Sequence, residues 1–211
     1  MRRPQPGDDR AHGPAFLFRL HLACGYFAAE RIEDIAARHG RALHWHAFHM
    51  RAVMKDHLGQ DKAMADVPLK GPYVRNDVHR SARALALPYA PAPTAGFSSV
   101  TASRMFWWLQ AEQPAVAGPF AKEVFRAHHA RTDSPNTVDQ CVALAASVGA
   151  DVAGLAEAAQ GEAARQALRD ATQAAVQAGV WGTPTVRIGE ELFWGSDRLP
   201  MVDEWLRKGG W

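Results

Sequence analysis

Hydrophobic and polar positions fall into three regimes along the chain. Ala15-Phe-Leu-Phe18 is an unbroken apolar run, the pattern of a short strand buried on both faces. Ala28, Ile32, Ile35, Ala36 and His39 then share one face of a helix expected over Gly25–His39, which Gly40 closes. Leu43-His-Trp-His-Ala-Phe48 alternates and predicts a second strand. From 51 to 179 the period becomes helical. Val74, Val78, Ala82 and Leu85 form one stripe. Leu87–Pro93 is a stiff proline-rich connection, Ser99 begins a helix carrying Phe106-Trp-Trp108, and Pro119 begins another with Phe120, Val124 and His128. Thr137-Val-Asp-Gln140 reads as a capping box, Asp151 as the cap of a short helix, and Glu162–Ala178 as a long helix. The last regime starts where that helix stops at Gly179. Thr183-Pro184 opens a strand over Thr185–Ile188, Gly189-Glu190 turns, and Leu192–Trp194 returns. Ser196 is then expected as the N-cap of a closing helix.

A parallel strand–helix–strand unit completed by a distant hairpin and helix is the element order of a thioredoxin-like domain. The fold class is therefore α/β: a thioredoxin-like domain with an inserted all-helical domain. The domain is discontinuous over 15–50 and 180–208, with 51–179 as the insertion and 1–14 as a polar, disordered tail.

Composition narrows the function. The chain has 211 residues and a net charge of +2, which makes no case for nucleic acid or a membrane surface as partner. No apolar run reaches spanning length. Arg19 and His21 interrupt the one stretch that could imitate a signal peptide, with Cys24 as its lipid-modified residue. The two cysteines, Cys24 and Cys141, are far apart and form no C-x-x-C, so a dithiol redox centre is excluded; such usage suits a cytoplasmic location. His44, His46 and His49, and His128 with His129, lack a spacing that completes a zinc site, so no metal is expected.

The candidate chemistry lies near the C-terminus. A cis bond at Thr183-Pro184 would turn the backbone of Thr183 outward, whereas a trans proline would simply start a strand. Ser196-Asp197 at a helix start could take a carboxylate on free N–H groups and an ammonium on the aspartate, although a capped helix is the commoner meaning of that pair. Trp107, Trp108 and Trp181 could line an aromatic pocket or serve as core.

Gly179-Val-x-Gly-x-Pro-Thr followed by Phe193-Trp-Gly-Ser-Asp-Arg-Leu resembles the C-terminal signature of 2-hydroxychromene-2-carboxylate isomerases and kappa-class glutathione transferases. The resemblance runs more loosely from about Phe16 to Leu206 and includes Lys70-Gly-Pro-Tyr-Val-Arg-Asn-Asp77, where Lys70 or Arg75 could attract an anion. It implies glutathione as cofactor, held at Thr183 and Pro184 by its cysteinyl backbone and at Ser196 and Asp197 by its γ-glutamyl end. It also implies a small aromatic substrate, cis-trans isomerase activity and a homodimer. A kappa-class-like transferase and a non-catalytic glutathione-binding protein are the alternatives.

The resemblance breaks at one place. The family opens Phe-Asp-Phe-x-Ser-Pro-x-x-Tyr, its serine stabilising the glutathione thiolate. This chain has Phe18-Arg-Leu-His-Leu-Ala-Cys-Gly-Tyr26, with Leu22 at the serine position and Ala23 at the proline position. Leucine offers no donor. Cys24, at the first turn of the helix, could substitute, or could be a buried, inert thiol. Arg19 to Cys24 can be written CGA CTT CAC CTC GCC TGC. Read one base later this gives Asp-Phe-Thr-Ser-Pro, which restores the family motif with the numbering unchanged. The gene's own codons decide the matter.

Overall fold

The computed structural model describes residues 13–60, 64–91 and 97–211. Most of the expected N-terminal tail, and the end of the proline-rich connection, lie outside them.

Strand β1 (Ala15–Phe18) lies between β2 (His44–Ala47), to which it is parallel, and β3 (Thr185–Ile188), to which it is antiparallel. β4 (Glu191–Trp194) pairs with β3, giving the order β2-β1-β3-β4. The central place of β1 explains its unbroken apolar run. Phe16 and Phe18 point into the larger core, where Phe18 meets Trp45, Phe106 and Phe125, while Leu17 points to the opposite face. Helix α1 (Ala23–Arg38) joins β1 to β2 and buries Phe27, Ala28, Ile32 and Ile35 on the larger core.

Helices α3 (Lys70–Ala84), α4 (Val100–Glu112), α5 (Pro114–His129), α6 (Val138–Ser147) and α7 (Leu155–Gln160) extend that core. The smaller face is covered by α2 (Met50–Leu58) and α8 (Glu162–Gln177), through Leu17, Phe48, Met50, Val53, Ala175 and Val180. Two bonds fix α8 there: the His49 N–H donates to Thr172 Oγ1 at 3.0 Å, and His46 Nε2 lies 3.1 Å from the Ala171 carbonyl oxygen. Helix α9 (Leu199–Lys208) returns against α1, where Arg38 and His39 hold Asp203 at 3.1 and 2.7 Å.

Local expectations met two corrections. Helix α5 begins at Pro114, because proline suits a first helical position whose N–H has no partner, and Pro119 lies inside the helix. Asp151 makes a turn rather than a cap: its Oδ1 accepts from the Ala153 N–H at 3.0 Å, and α7 starts later, after left-handed Gly154. Of the two alternatives for Trp107 and Trp108, the structure packs both against the larger core, with Trp107 Nε1 donating to the Ala47 carbonyl at 2.8 Å. The Thr137–Gln140 capping box is present: Gln140 N–H donates to Thr137 Oγ1 at 3.2 Å, and Thr137 N–H to Gln140 Oε1 at 3.0 Å.

Candidate active-site cleft

Three loops meet at the C-terminal end of β1. The first runs from Arg19 to Leu22 into α1. Leu22 occupies the N-cap in extended conformation, makes no side-chain capping bond and is 38% exposed. No acidic residue stands in the first turn, so no side chain of the helix's own first turn offsets the partial positive charge of its leading N–H groups.

The second loop is Gly182-Thr183-Pro184, with the Thr183–Pro184 bond cis. Thr183 Oγ1 accepts from the Arg19 N–H at 3.0 Å, which locks this loop to the first. Among the described residues the N–H and C=O of Thr183 take no hydrogen-bond partner. They form a free main-chain edge beside the α1 N-terminus.

The third loop is Gly195-Ser196-Asp197. The Gly195 N–H donates to the Pro184 carbonyl at 2.9 Å, so Thr183 and Ser196 stand one residue either side of a single bond. Ser196 is not an N-cap, contrary to expectation. Ser196–Arg198 form a 3-10 turn that runs into α9, whose own N-cap is Arg198. Asp197 folds back over Gly195 and also pairs with Arg198 at 3.1 Å. Gly195 has φ +110, and a Cβ there would stand 2.3 Å from Asp197 Oδ1. G195A is therefore expected to lower stability by about 1–3 kcal/mol and to dislodge the Asp197 carboxylate. A melting temperature equal to that of the unmodified protein contradicts this.

Cys24 contradicts the reading as a substitute and fits the reading as an inert thiol in its chemistry but not in its exposure. The residue reaches the surface, yet its thiol is desolvated and pushed up rather than down. Desolvation is the main cause; the charges of Asp197 and Asp77 add to it, while the Ser196 hydroxyl and its own backbone N–H oppose it. Such a thiol stays protonated and is a poor substitute for a thiolate-stabilising hydroxyl. The same neighbours place Cys24 against the Ser196–Asp197 turn. The cleft thus unites Leu22, Cys24, Thr183, Pro184, Ser196 and Asp197 at one end of the sheet.

Trp181 and Trp194 flank the cleft, their rings 4.2 Å apart and both partly exposed. Gly182 permits this, since a Cβ there would sit 2.2 Å from Trp194 Nε1. Trp194 was legible as a strand residue within the C-terminal signature, without a role of its own. Lys70 and Arg75 are exposed on α3, and Arg75 Nη1 donates to the Ala65 carbonyl at 3.1 Å.

Sequence patterning missed a buried histidine stack behind the first loop. His21, Phe97 and His128 stack, with Phe97 and His128 centroids 4.3 Å apart, and His129 packs against His128 and Tyr26. Among the described residues no group of His, Cys, Asp or Glu could hold a metal ion. Burial, as the first cause, lowers His21 and His128 to about 4 and His129 to about 3. These rings are neutral in the fold but protonate in the unfolded chain below about pH 6.5. The unfolded state then binds more protons, so stability falls as pH drops from about 6.5 toward the folded values. Urea unfolding is expected to show a loss of about 1–2 kcal/mol per histidine between about pH 7 and about pH 5; equal stability at both removes the neutral-stack assignment.

The DSBA-like thioredoxin domain family matches residues 24–207. The chain is 25% identical over 189 residues to 2-hydroxychromene-2-carboxylate isomerase of Pseudomonas putida, covering 89% of this chain and 91% of that one. A solved 2-hydroxychromene-2-carboxylate isomerase superposes with a TM-score of 0.82 at 24% identity, over 92% of this chain and 94% of the other. The cytosolic disulfide reductase DsbM from Pseudomonas aeruginosa, solved with GSH, gives 0.65 at 17% identity over 92% and 96%.

Proposed function

Because the chain belongs to the DSBA-like thioredoxin domain family, we propose that it is a glutathione-dependent cis-trans isomerase of the 2-hydroxychromene-2-carboxylate type, acting on a small aromatic substrate in the cytoplasm as a homodimer. The observation that carries this reading is the 2.9 Å bond from Gly195 to Pro184, which brings a free main-chain edge and a polar turn within the span of one tripeptide.

The residues present fit glutathione. The Thr183 N–H donates to, and its C=O accepts from, the main chain of the cysteinyl residue, as an added strand would pair. The Ser196 hydroxyl and the N–H groups of its turn receive the γ-glutamyl carboxylate, and Asp197 holds the ammonium. Bound glutathione supplies a thiolate for reversible addition to a conjugated double bond. The uncapped N–H groups of α1 lower the energy of negative charge at that point, while Leu22 contributes no donor. The Trp181–Trp194 pair offers an aromatic wall at the mouth. The DsbM neighbour, solved with GSH, supports the choice of thiol on the same fold.

Leu22 favours a second reading, a glutathione-binding protein with little or no turnover. A kappa-class-like transferase is the third. Titrating free thiol during turnover separates the active readings, because an isomerase returns glutathione and a transferase consumes it. Calorimetry that detects no glutathione binding defeats all three.

A further inference from the structure

The geometry points to a second ligand site, on the opposite side of the sheet from α1, that takes an apolar molecule carrying one carboxylate. A cavity of about 470 Å³ opens between α2, the start of α4 and α8. Val53, Leu168 and Val176 give it apolar wall, and Arg104, Arg165, Arg169, His49 and His57 give it basic groups. Asp56 is the only carboxylate among the described residues of its lining.

Arg104 makes the case. Its Nε is buried without a hydrogen-bond partner, and among the described residues no carboxylate comes within ion-pair distance of it. Arg165 and Arg169 both lean on Glu162, Arg165 at 3.8 Å, so that one carboxylate is already shared. Burial, with the charges of Arg19, Arg104 and Arg51, pushes His49 down and keeps its ring neutral, so the positive potential here comes from the arginines. The Arg104 guanidinium is partly desolvated and feels Glu162 only beyond ion-pair distance, a carboxylate that Arg165 and Arg169 already share, so a bound carboxylate would add a direct counter-charge through a bidentate bond. The apolar wall requires the rest of the ligand to be hydrocarbon. An aryl and an acyl carboxylate share this chemistry. The site does not depend on the glutathione reading, since it uses none of the cleft residues.

The test is calorimetry on the full chain with 2-naphthoate and with decanoate, beside the neutral 2-naphthylmethanol. Binding is expected for at least one carboxylate, with the alcohol at least about tenfold weaker. R104Q should weaken the carboxylate at least about tenfold, and A52F, which fills the cavity from a half-buried position, should abolish binding while the circular dichroism spectrum stays unchanged. D197A should leave it within twofold. Binding of naphthoate alone marks an aryl ligand, and of decanoate alone an acyl ligand. Failure of both to bind, an affinity unchanged in R104Q or A52F, or displacement by glutathione overturns the assignment.

Discussion

Replacing Arg19–Ala23 by Asp-Phe-Thr-Ser-Pro (R19D/L20F/H21T/L22S/A23P) is expected to make the protein both more stable and at least about a hundredfold faster on a 2-hydroxychromene-2-carboxylate. The structure supplies a reason at four of the five positions. Leu22 is the N-cap of α1 and Ala23 its first residue, so the change puts a favoured capping residue and a favoured first-turn proline where helix physics wants them. A serine cap contributes about 1 kcal/mol. Arg19 Nε and His21 Nδ1 are buried without partners, each costing about 1–3 kcal/mol, and the change removes both. Arg19 is pushed down by desolvation and by Arg51, so an aspartate there meets attraction instead of repulsion. Against this, L20F enlarges a fully buried side chain, which costs about 1–3 kcal/mol unless the core relaxes. The net expectation is a gain of about 2–4 kcal/mol, on the order of 10 °C in melting temperature. The rate gain has a separate origin, a hydroxyl aimed at the thiolate. L22S alone should recover part of each. A replacement that melts no higher and turns over no faster removes the frame-shifted reading of this segment, as do gene codons that cannot encode it.

Glutathione affinity is expected to fall by about 1.5–3 kcal/mol in D197A, tenfold to more than a hundredfold in dissociation constant. The side chain is largely exposed, and Arg198 already neutralises it at 3.1 Å. Its loss should therefore leave the melting temperature nearly unchanged, while the cysteinyl part of the tripeptide keeps its contacts at Thr183. That contrast matters, because a folding defect would lower both together. Calorimetry on D197A and D197N decides the point: an unaltered affinity in both takes Asp197 out of the site, and S196A should then be silent as well.

Legibility differed by the range of the interaction. The four strands, the capping box and the closing hairpin were readable because alternation, glycine and local hydrogen bonding act within a few residues. Ser196 was misplaced because Ser-Asp after glycine looks the same whether a 3-10 turn intervenes before the helix or not. Trp107 and Trp108 were ambiguous because an aromatic at helical spacing does not announce which face meets the core. The histidine stack was invisible because His21, Phe97 and His128 come from three separate segments with no shared period. The acidity of Cys24 was left open between two readings, since desolvation, and after it Ser196 and Asp197 arriving from the far end of the chain, set it.

The sheet order has a consequence for how the protein is made. β1 is one of the two interior strands, yet its other neighbour is β3, and the Arg19–Thr183 bond spans 164 positions. On the ribosome the first strand emerges with one flank unpaired and stays so until Thr185–Ile188 has left the exit tunnel. The pocket's two rims cannot meet before Thr183 has left the tunnel. A stop codon placed anywhere before Thr183 should therefore yield a nascent product that exposes β1 and is captured by chaperones, not a shortened protein with weakened binding.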